Sequence, residues 1–310
     1  MARCLWFSKS AEEWRQNYLR LQAQNPKSGI TLHQCLANPM VFHRFPALLD
    51  SKLGLSVVLY SVTIMVLQHR QRSVALQGPG HEAGSAPSAD EYILRLMEEL
   101  RVLCEAEWLK PPSASRLILE LNAMYLYAPV FHLEDISSGE PRRSSPQIAC
   151  MLRDWRQTRT VRRAVWHAGQ IIRAATSLTS DELADFHVVA VYQAAVCLWM
   201  YASSPNTATP PAGTCVSDFR GELIHVNGPE SLQTQKWISH GCGVPVIADL
   251  DQSSSALHYL VELQPDLSPR GSFLRSIMGT VYRIFPRHGA GLPIWKHVRR
   301  ILCALGGPEL

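Results

Sequence analysis

The clearest hydrophobic pattern in the chain runs from Val161 to Ala202. Wound at about 3.6 residues per turn, Val161, Ala164, Val165, Ala168, Ile172 and Ala175 fall in one arc of about 120°. Arg156, Arg159, Arg162, Arg163 and Arg173 fall mostly on the opposite side. This is an amphipathic helix whose buried stripe is lined by alanines, thin enough for a neighbouring helix to come close. Thr179 and Glu182 have the spacing of a capping box, and Leu178 and Leu183 that of the hydrophobic staple that accompanies one. The following stretch to Ala202 is apolar nearly all round, with Asp185, His187 and Gln193 as the clear exceptions, which predicts a helix buried inside a larger bundle. The two helices predict a central antiparallel hairpin.

The rest of the chain reads as helices separated by turn chemistry. Ser10 with Glu13 predicts a capping box opening a helix to about Ala23, with Trp14, Tyr18 and Leu21 at helical spacing. Residues 30–46 are punctuated by Pro39 and Pro46 and read as a loop with one helical turn. A long helix is predicted over 47–72, and another after a second box at Ser88 and Glu91, carrying Ile93, Leu94, Met97, Leu100, Val102, Leu103 and Trp108. Ser113 caps a helix to about Tyr127, and one helix is predicted over 147–176 and the next over 181–203. Pro229 suits the first position of a short helix that Gly241 to Pro245 breaks, and 252–264, 270–285 and 293–305 each look helical. Segments 77–89, 137–146 and 204–213 are rich in Gly, Pro, Ser and Ala and predict mobile loops. With no run of alternating strands and no fixed repeat, the fold class is all-α. The chain reads as a multi-helix bundle built on the central hairpin, a single helical domain over 1–310.

Composition changes this picture little. At 310 residues with 46% hydrophobic and 18% charged positions, the chain can bury a large core without metal or disulfide. The net charge of +4 is too mild to argue for nucleic-acid binding by itself. The eight cysteines, at 4, 35, 104, 150, 197, 215, 242 and 303, show no CxxC pair, and Met1 to Trp14 lacks the apolar core of a signal peptide; both point to a reducing compartment. The apolar runs 53–67 and 188–202 are each about 15 residues against the roughly 20 of a membrane span, so both read as buried helices.

Catalytic chemistry is not legible. There is no GxSxG elbow, no GxxxxGK[ST] loop and no HExxH. His167, His187 and Asp185 on neighbouring helices could in principle hold a metal, as could His240 with Cys242, but core or boundary histidines are the plainer reading. Cys242 as a nucleophile has no assigned base. No catalytic, cofactor-binding or metal-binding residue is assigned, and no cofactor is expected. The arginines Arg153, Arg156, Arg159, Arg162 and Arg163 could face phosphate or an acidic partner; without interleaved aromatics they read as a solvated face. Arg142-Arg143 ahead of Ser144-Ser145 resembles a site for basic-directed kinases, with a plain polar loop as the alternative.

WHAGQIIRAATSL and DFHVVAVYQAAVCLWMYA, within 166–202, resemble the middle homology (regulatory) domain of fungal-specific transcription factors. Residues 5–19, 223–245 and 292–306 are similar to, in turn, a short motif ahead of that domain, its later linker and its closing helix. The resemblance implies an all-α regulatory and interaction domain that controls RNA polymerase II transcription, a nuclear location, protein partners in the transcription machinery or a homo- or heterodimer partner, and room for a small-molecule effector. It implies no enzyme activity and no membrane. Family members bind zinc through a separate DNA-binding module, and no finger spacing occurs in this chain, so DNA contact is expected to be indirect. The chain corresponds to the regulatory half alone, as a shortened product, an incompletely read gene or a stand-alone regulator. The alternative reading is a helical small-molecule-binding protein or enzyme without a recognisable motif.

Overall fold

The computed structural model describes residues 7–24, 30–44, 51–76, 87–106, 112–129, 158–179, 185–202 and 222–248, together with single positions 150, 155, 182, 273, 276–277, 279–281 and 284. These residues are mostly helical, and the all-α class holds. The helices are α1 (Ala11–Gln24), α2 (Leu32–Ala37), α3 (Val41–Arg44), α4 (Ser51–Leu76), α5 (Pro87–Glu105), α6 (Ser113–Tyr127), α7 (Arg159–Thr176), α8 (Asp185–Ala202) and α9 (Leu232–His240). Two three-residue strands, β1 (Leu223–His225) and β2 (Val244–Val246), flank α9 and pair in parallel, Ile224 opposite Pro245. Three residues are too few to show an alternating pattern, which is why no strand is legible there in the sequence. Pro245, which has no amide to donate, is tolerated because a two-stranded ribbon is all edge. Segments 137–146 and 204–213, the helices expected over 252–264 and 293–305, and most of segment 77–89 lie outside the described residues.

The chain divides into two compact units, Met1–Val62 with Ala86–Pro112, and Thr63–Ser85 with Ser113–Leu310. In the first, Ser10 Oγ accepts from the Glu13 amide at 3.1 Å, while the Glu13 carboxylate takes the Lys9 amide rather than that of Ser10. Residues 30–44 are more helical than expected. Thr31 and Gln34 form a full capping box that opens α2, and α3 follows three residues after it ends. The buried stripe of α5 is Ile93, Leu96, Met97, Leu100 and Leu103, and Tyr92 Oη donates to the Leu36 carbonyl at 3.1 Å. Helix α5 begins at Pro87, one residue ahead of the expected cap, Ser88.

In the second unit α7 packs against α6, α8 and α9. All six residues of its predicted stripe are buried, and so are Trp166, Gly169, Gln170, Ile171 and Ala174. Helix α7 is therefore covered on most of its circumference, not on one arc. It also starts later than expected. Thr158 has extended backbone angles and turns its hydroxyl onto the Trp155 carbonyl at 2.6 Å, so the helix predicted over 147–176 is interrupted ahead of Arg159. Helix α8 likewise begins at Asp185 rather than 181, and Glu182 stands in a turn. From Val188 to Ala202 it is buried except at Val189 and Trp199. At 273–284 the described residues are helical, and Phe273, Ile277, Val281 and Ile284 form a buried row at spacings of four, four and three.

Helix α4 carries a longer apolar run than the sequence reading allowed. Leu53–Ser73, 21 residues with a mean hydropathy of 1.3, is long and apolar enough to cross a membrane by length and composition. Its residues Leu55, Val58, Leu59, Val62 and Val66 are nonetheless buried within the fold.

Candidate functional site

Helix α7 is the part of the second unit on which the polar side chains converge. Its Gly169 meets the backbone of Val226, the residue just past β1. A β-carbon built on Gly169 would lie 2.3 Å from the Val226 carbonyl oxygen. One residue on, Gln170 Nε2 donates to the carbonyls of Val226 and Gly228 at 2.8 and 2.9 Å, and Arg173 Nη1 also donates to Gly228 at 3.0 Å. Asn227 completes the turn, exchanging hydrogen bonds with both backbone groups of Ala248 at 2.8 and 3.0 Å. The Val226 carbonyl is buried and that of Gly228 half-buried, so the side chains of α7 supply donors to the backbone of the segment that lies on it.

Arg162 does the same at the far end of that segment. Helix α9 is capped at its start by Ser231 Oγ, which accepts from the Thr234 amide at 3.2 Å. Pro229 therefore lies ahead of the helix and not at its first position. The helix ends at Gly241, whose φ of 78° is the left-handed conformation that glycine adopts without strain. Arg162 Nε and Nη2 donate to the carbonyls of Ile238 and Ser239 at 2.9 and 3.3 Å. A cation at the negative end of a helix satisfies open carbonyls and opposes the helix dipole at once. Burial pulls the Arg162 pKa down and the nearby Tyr201 pushes it up, yet a guanidinium remains charged. Arg162→Met keeps most of the stem and removes both bonds. It is expected to cost about 2 kcal/mol, the scale of hydrogen bonds from a charged donor, read as a lower urea midpoint; a wild-type midpoint would show that the cap is dispensable.

The arginines of this helix are thus not one solvated face. Arg162 and Arg173 hold carbonyls, and Arg163 lies over the ring of Tyr127 with its Cζ 5.3 Å from the centroid, a cation–π contact. Arg159 is exposed, and Arg153 and Arg156 lie outside the described residues.

A second cluster sits where α6 meets α7. His167 Nδ1 is 2.7 Å from Glu120 Oε2; the side chains are 12% and 2% exposed. The His167 ring stacks on Tyr127 with centroids 5.8 Å apart and planes 8° from parallel. Arg163 Nη1 donates to Tyr127 Oη at 3.2 Å, and Trp155 Nε1 donates to the Tyr127 carbonyl at 2.7 Å. A carboxylate on one imidazole nitrogen fixes the ring's tautomer and orientation and leaves the other nitrogen as the basic one. This arrangement suits a histidine that exchanges protons with, or accepts a hydrogen bond from, a bound molecule. Glu120 carries no signal in the sequence, because one acidic residue in SRLILELNAMYLY looks like the polar edge of an amphipathic helix. Only its position against His167 singles it out.

His187 is separate from this pair. It is buried and is bonded to the Glu182 backbone carbonyl. Burial lowers its pKa below the ordinary 6.5, with the Glu182 bond acting the other way. The Glu182 carboxylate accepts from both the amide and the hydroxyl of Thr179 at 3.1 Å, which lowers its pKa below 4.5. The Thr179 hydroxyl donates here, where the expected capping box has it accepting. Leu183, the other half of the expected staple, lies outside the described residues. Both shifts give the same sign. The unfolded chain binds these protons more readily than the folded one, so stability falls as pH falls. The His187 part is lost from about pH 6.5 downward, and the Glu182 part below about 4.5. Urea midpoints measured at steps from pH 7.5 to 4 should decline in that order, and His187→Gln should flatten the upper step. A flat profile between pH 7 and 5.5 would contradict the assignment.

Of the cysteines, Cys35 and Cys197 are buried free thiols, and burial pushes the Cys197 thiol up to about 12, which leaves it inert at neutral pH. Cys242 is disulfide-bonded, which removes it as a nucleophile. The Asp185 side chain, Cys4, Cys215, Cys303 and Ser144-Ser145 lie outside the described residues. His240 is exposed at the end of α9. Among the described residues no three His, Cys, Asp or Glu side chains lie close enough to share a metal ion. No family model, curated protein or solved structure matches the chain.

Proposed function

We propose that the chain is a transcription regulator of the fungal type, acting through its helical body as the regulatory and interaction domain that controls RNA polymerase II transcription. The observation that carries this reading is the clasp on α7. Residues 161–202 and 223–245 each resemble separate parts of the family's regulatory region, and Arg162, Gln170 and Arg173 join them into one body. A body of that kind transmits a signal when an effector or partner binds two of its states with different affinity. On this reading the protein works in the nucleus, meets DNA through a partner and performs no catalysis.

The test is to fuse the full chain to a heterologous DNA-binding module in fungal cells and count reporter transcripts. A several-fold change over the module alone is expected. Unchanged transcription by a fusion that is folded and nuclear would refute the proposal.

The Glu120–His167 pair favours a second reading, a helical protein that binds or turns over a small molecule beside His167. Under it, His167→Gln abolishes ligand retention or turnover while leaving the thermal melt nearly in place. Under the first reading, reporter output in the same variant follows stability alone.

A further inference from the structure

Four polar side chains gather at the solvent edge of the α6–α7 contact, and each has a bonding position to spare. His167 Nδ1 is bonded to Glu120 Oε2 at 2.7 Å, so the neutral ring carries its proton on Nδ1 and its lone pair on Nε2. Nε2 makes no hydrogen bond among the described residues, although the side chain is only 12% exposed. Tyr127 Oη accepts from Arg163 Nη1 at 3.2 Å, which leaves the phenol proton to donate. The Arg163 guanidinium is paired with no carboxylate among the described residues and keeps further N–H groups. Arg159 is exposed, and 159, 163 and 167 are spaced by four, so they form one strip along α7.

One acceptor, one hydroxyl donor and two cations make a specific demand on a ligand. It must be anionic, and it must also hold a proton to give to Nε2. A carboxylate, a sulfate and an internal phosphodiester offer acceptors only. A phosphomonoester gives up its last proton at about pH 6, so near neutrality it exchanges between a form with P–O–H beside ionised oxygens and a fully ionised one. Inorganic phosphate does the same. We propose that this strip binds a phosphate group that still carries an ionisable proton. The P–O–H donates to His167 Nε2, the ionised oxygens accept from the Tyr127 hydroxyl and Arg163, and Arg159 adds charge. The inference rests on the reading that a small molecule binds beside His167, and it names the class of that molecule. Glu120, 2% exposed, fixes the ring from the side away from the ligand, so the imidazole separates the two anions. The phosphates inside a nucleic-acid strand carry no such proton, and the net charge of +4 is mild for that partner.

Nuclear magnetic resonance of the full chain with isotopically labelled histidine tests this, at neutral pH and constant ionic strength. The signal absent from His167→Gln identifies His167. Inorganic phosphate and glycerol phosphate are expected to shift its Nε2 resonance at concentrations about tenfold below those of sulfate and dimethyl phosphate, the effect of one charge-assisted hydrogen bond. The tighter of the first two tells free phosphate from a monoester. Tyr127→Phe keeps the ring on His167 and should weaken phosphate about tenfold, as should Arg163→Met, both with an unchanged far-UV circular dichroism spectrum. Should Arg163→Met unfold the chain, Tyr127→Phe decides alone. Arg15→Gln, an exposed arginine on α1, should bind like wild type. Equal responses to phosphate and sulfate would mean charge attraction without recognition of the proton, and overturn the proposal. A tighter response to acetate overturns it as well and leaves the small-molecule reading standing. So does a tighter response to a DNA duplex, which assigns the strip to nucleic acid. Silence at His167 toward every probe also overturns it, and the small-molecule reading then stands or falls on ligand retention in His167→Gln.

Discussion

Gly169→Ala is expected to lower the stability of the second unit by about 3 kcal/mol, although alanine is the better helix former. Two effects oppose each other. Replacing a helical glycine by alanine gains about 1 kcal/mol through backbone entropy. The added methyl would lie 2.3 Å from the Val226 oxygen, 2.5 Å from its carbonyl carbon and 2.9 Å from its Cβ. These are backbone atoms already held in place: the Val226 amide donates to Val246 at 2.9 Å, and its carbonyl accepts from Gln170 at 2.8 Å. Relief requires β1 and its turn to move off α7, which strains the Gln170 and Arg173 bonds to Gly228 as well. The strain of overpacking, about 1–3 kcal/mol, and the loss of about three hydrogen bonds at about 1 kcal/mol each outweigh the entropic gain. Gly279 is the comparison. A β-carbon there meets nothing within 4 Å, so Gly279→Ala is expected to raise stability by up to about 1 kcal/mol. Urea midpoints of the two variants should move in opposite directions. A Gly169→Ala protein as stable as wild type would mean that the 222–248 segment does not rest on α7 as described.

Glu120→Ala is expected to cost about 3 kcal/mol, the upper end of what a hydrogen bond to a charged group contributes, because Glu120 is almost wholly buried. The loss has two parts. His167 Nδ1 gives up its acceptor, and a cavity opens between Leu117 and Met124 on the buried side of α6. Glu120→Gln separates the two. It fills the volume and still offers a carbonyl oxygen at 2.7 Å range, so its cost should fall to about 1–2 kcal/mol, the value of the charge in the hydrogen bond. Equal losses in the two variants would assign the whole effect to charge. Equal stability of Glu120→Gln and wild type would show that the pair is held neutral.

The helices were legible where one side chain chemistry dominates. The stripe of α7, the apolar circumference of α8 and the row in α5 each follow a 3.6-residue period, and burial follows them. The boundaries were less legible because they depend on single hydroxyls. Thr158 turns to the Trp155 carbonyl and ends one helix, Thr31 accepts from Gln34 and starts another, and Thr179 donates where accepting was expected. The same residue type at the same spacing supports either outcome until the chain is folded. The candidate site was half legible. His167 stood out as a histidine on a helix that faces the core, but its partner is 47 residues away, and no local pattern couples Glu120 to it. The arginines misled for a related reason. A run of cations at helical spacing predicts a wet face, and the sequence cannot show that open carbonyls of α9 and of the turn at Gly228 would come to meet them.

The Arg162 bonds to the end of α9 also set how this unit opens. A surface helix of nine residues would ordinarily fray by itself, with its amides exchanging long before the core. Here the last turn of α9 is held by a side chain rooted in α7, and the segment ahead of the helix, at Val226 and Gly228, by Gln170 and Arg173. Opening α9 therefore means breaking bonds to a helix that is buried on most of its circumference. In hydrogen exchange, the amides of Trp237 to Gly241 should carry protection close to that of α7 itself, and Arg162→Met should release them into fast exchange while α7 stays closed. The short outer helix and the central one behave as a single cooperative block, and one arginine joins them.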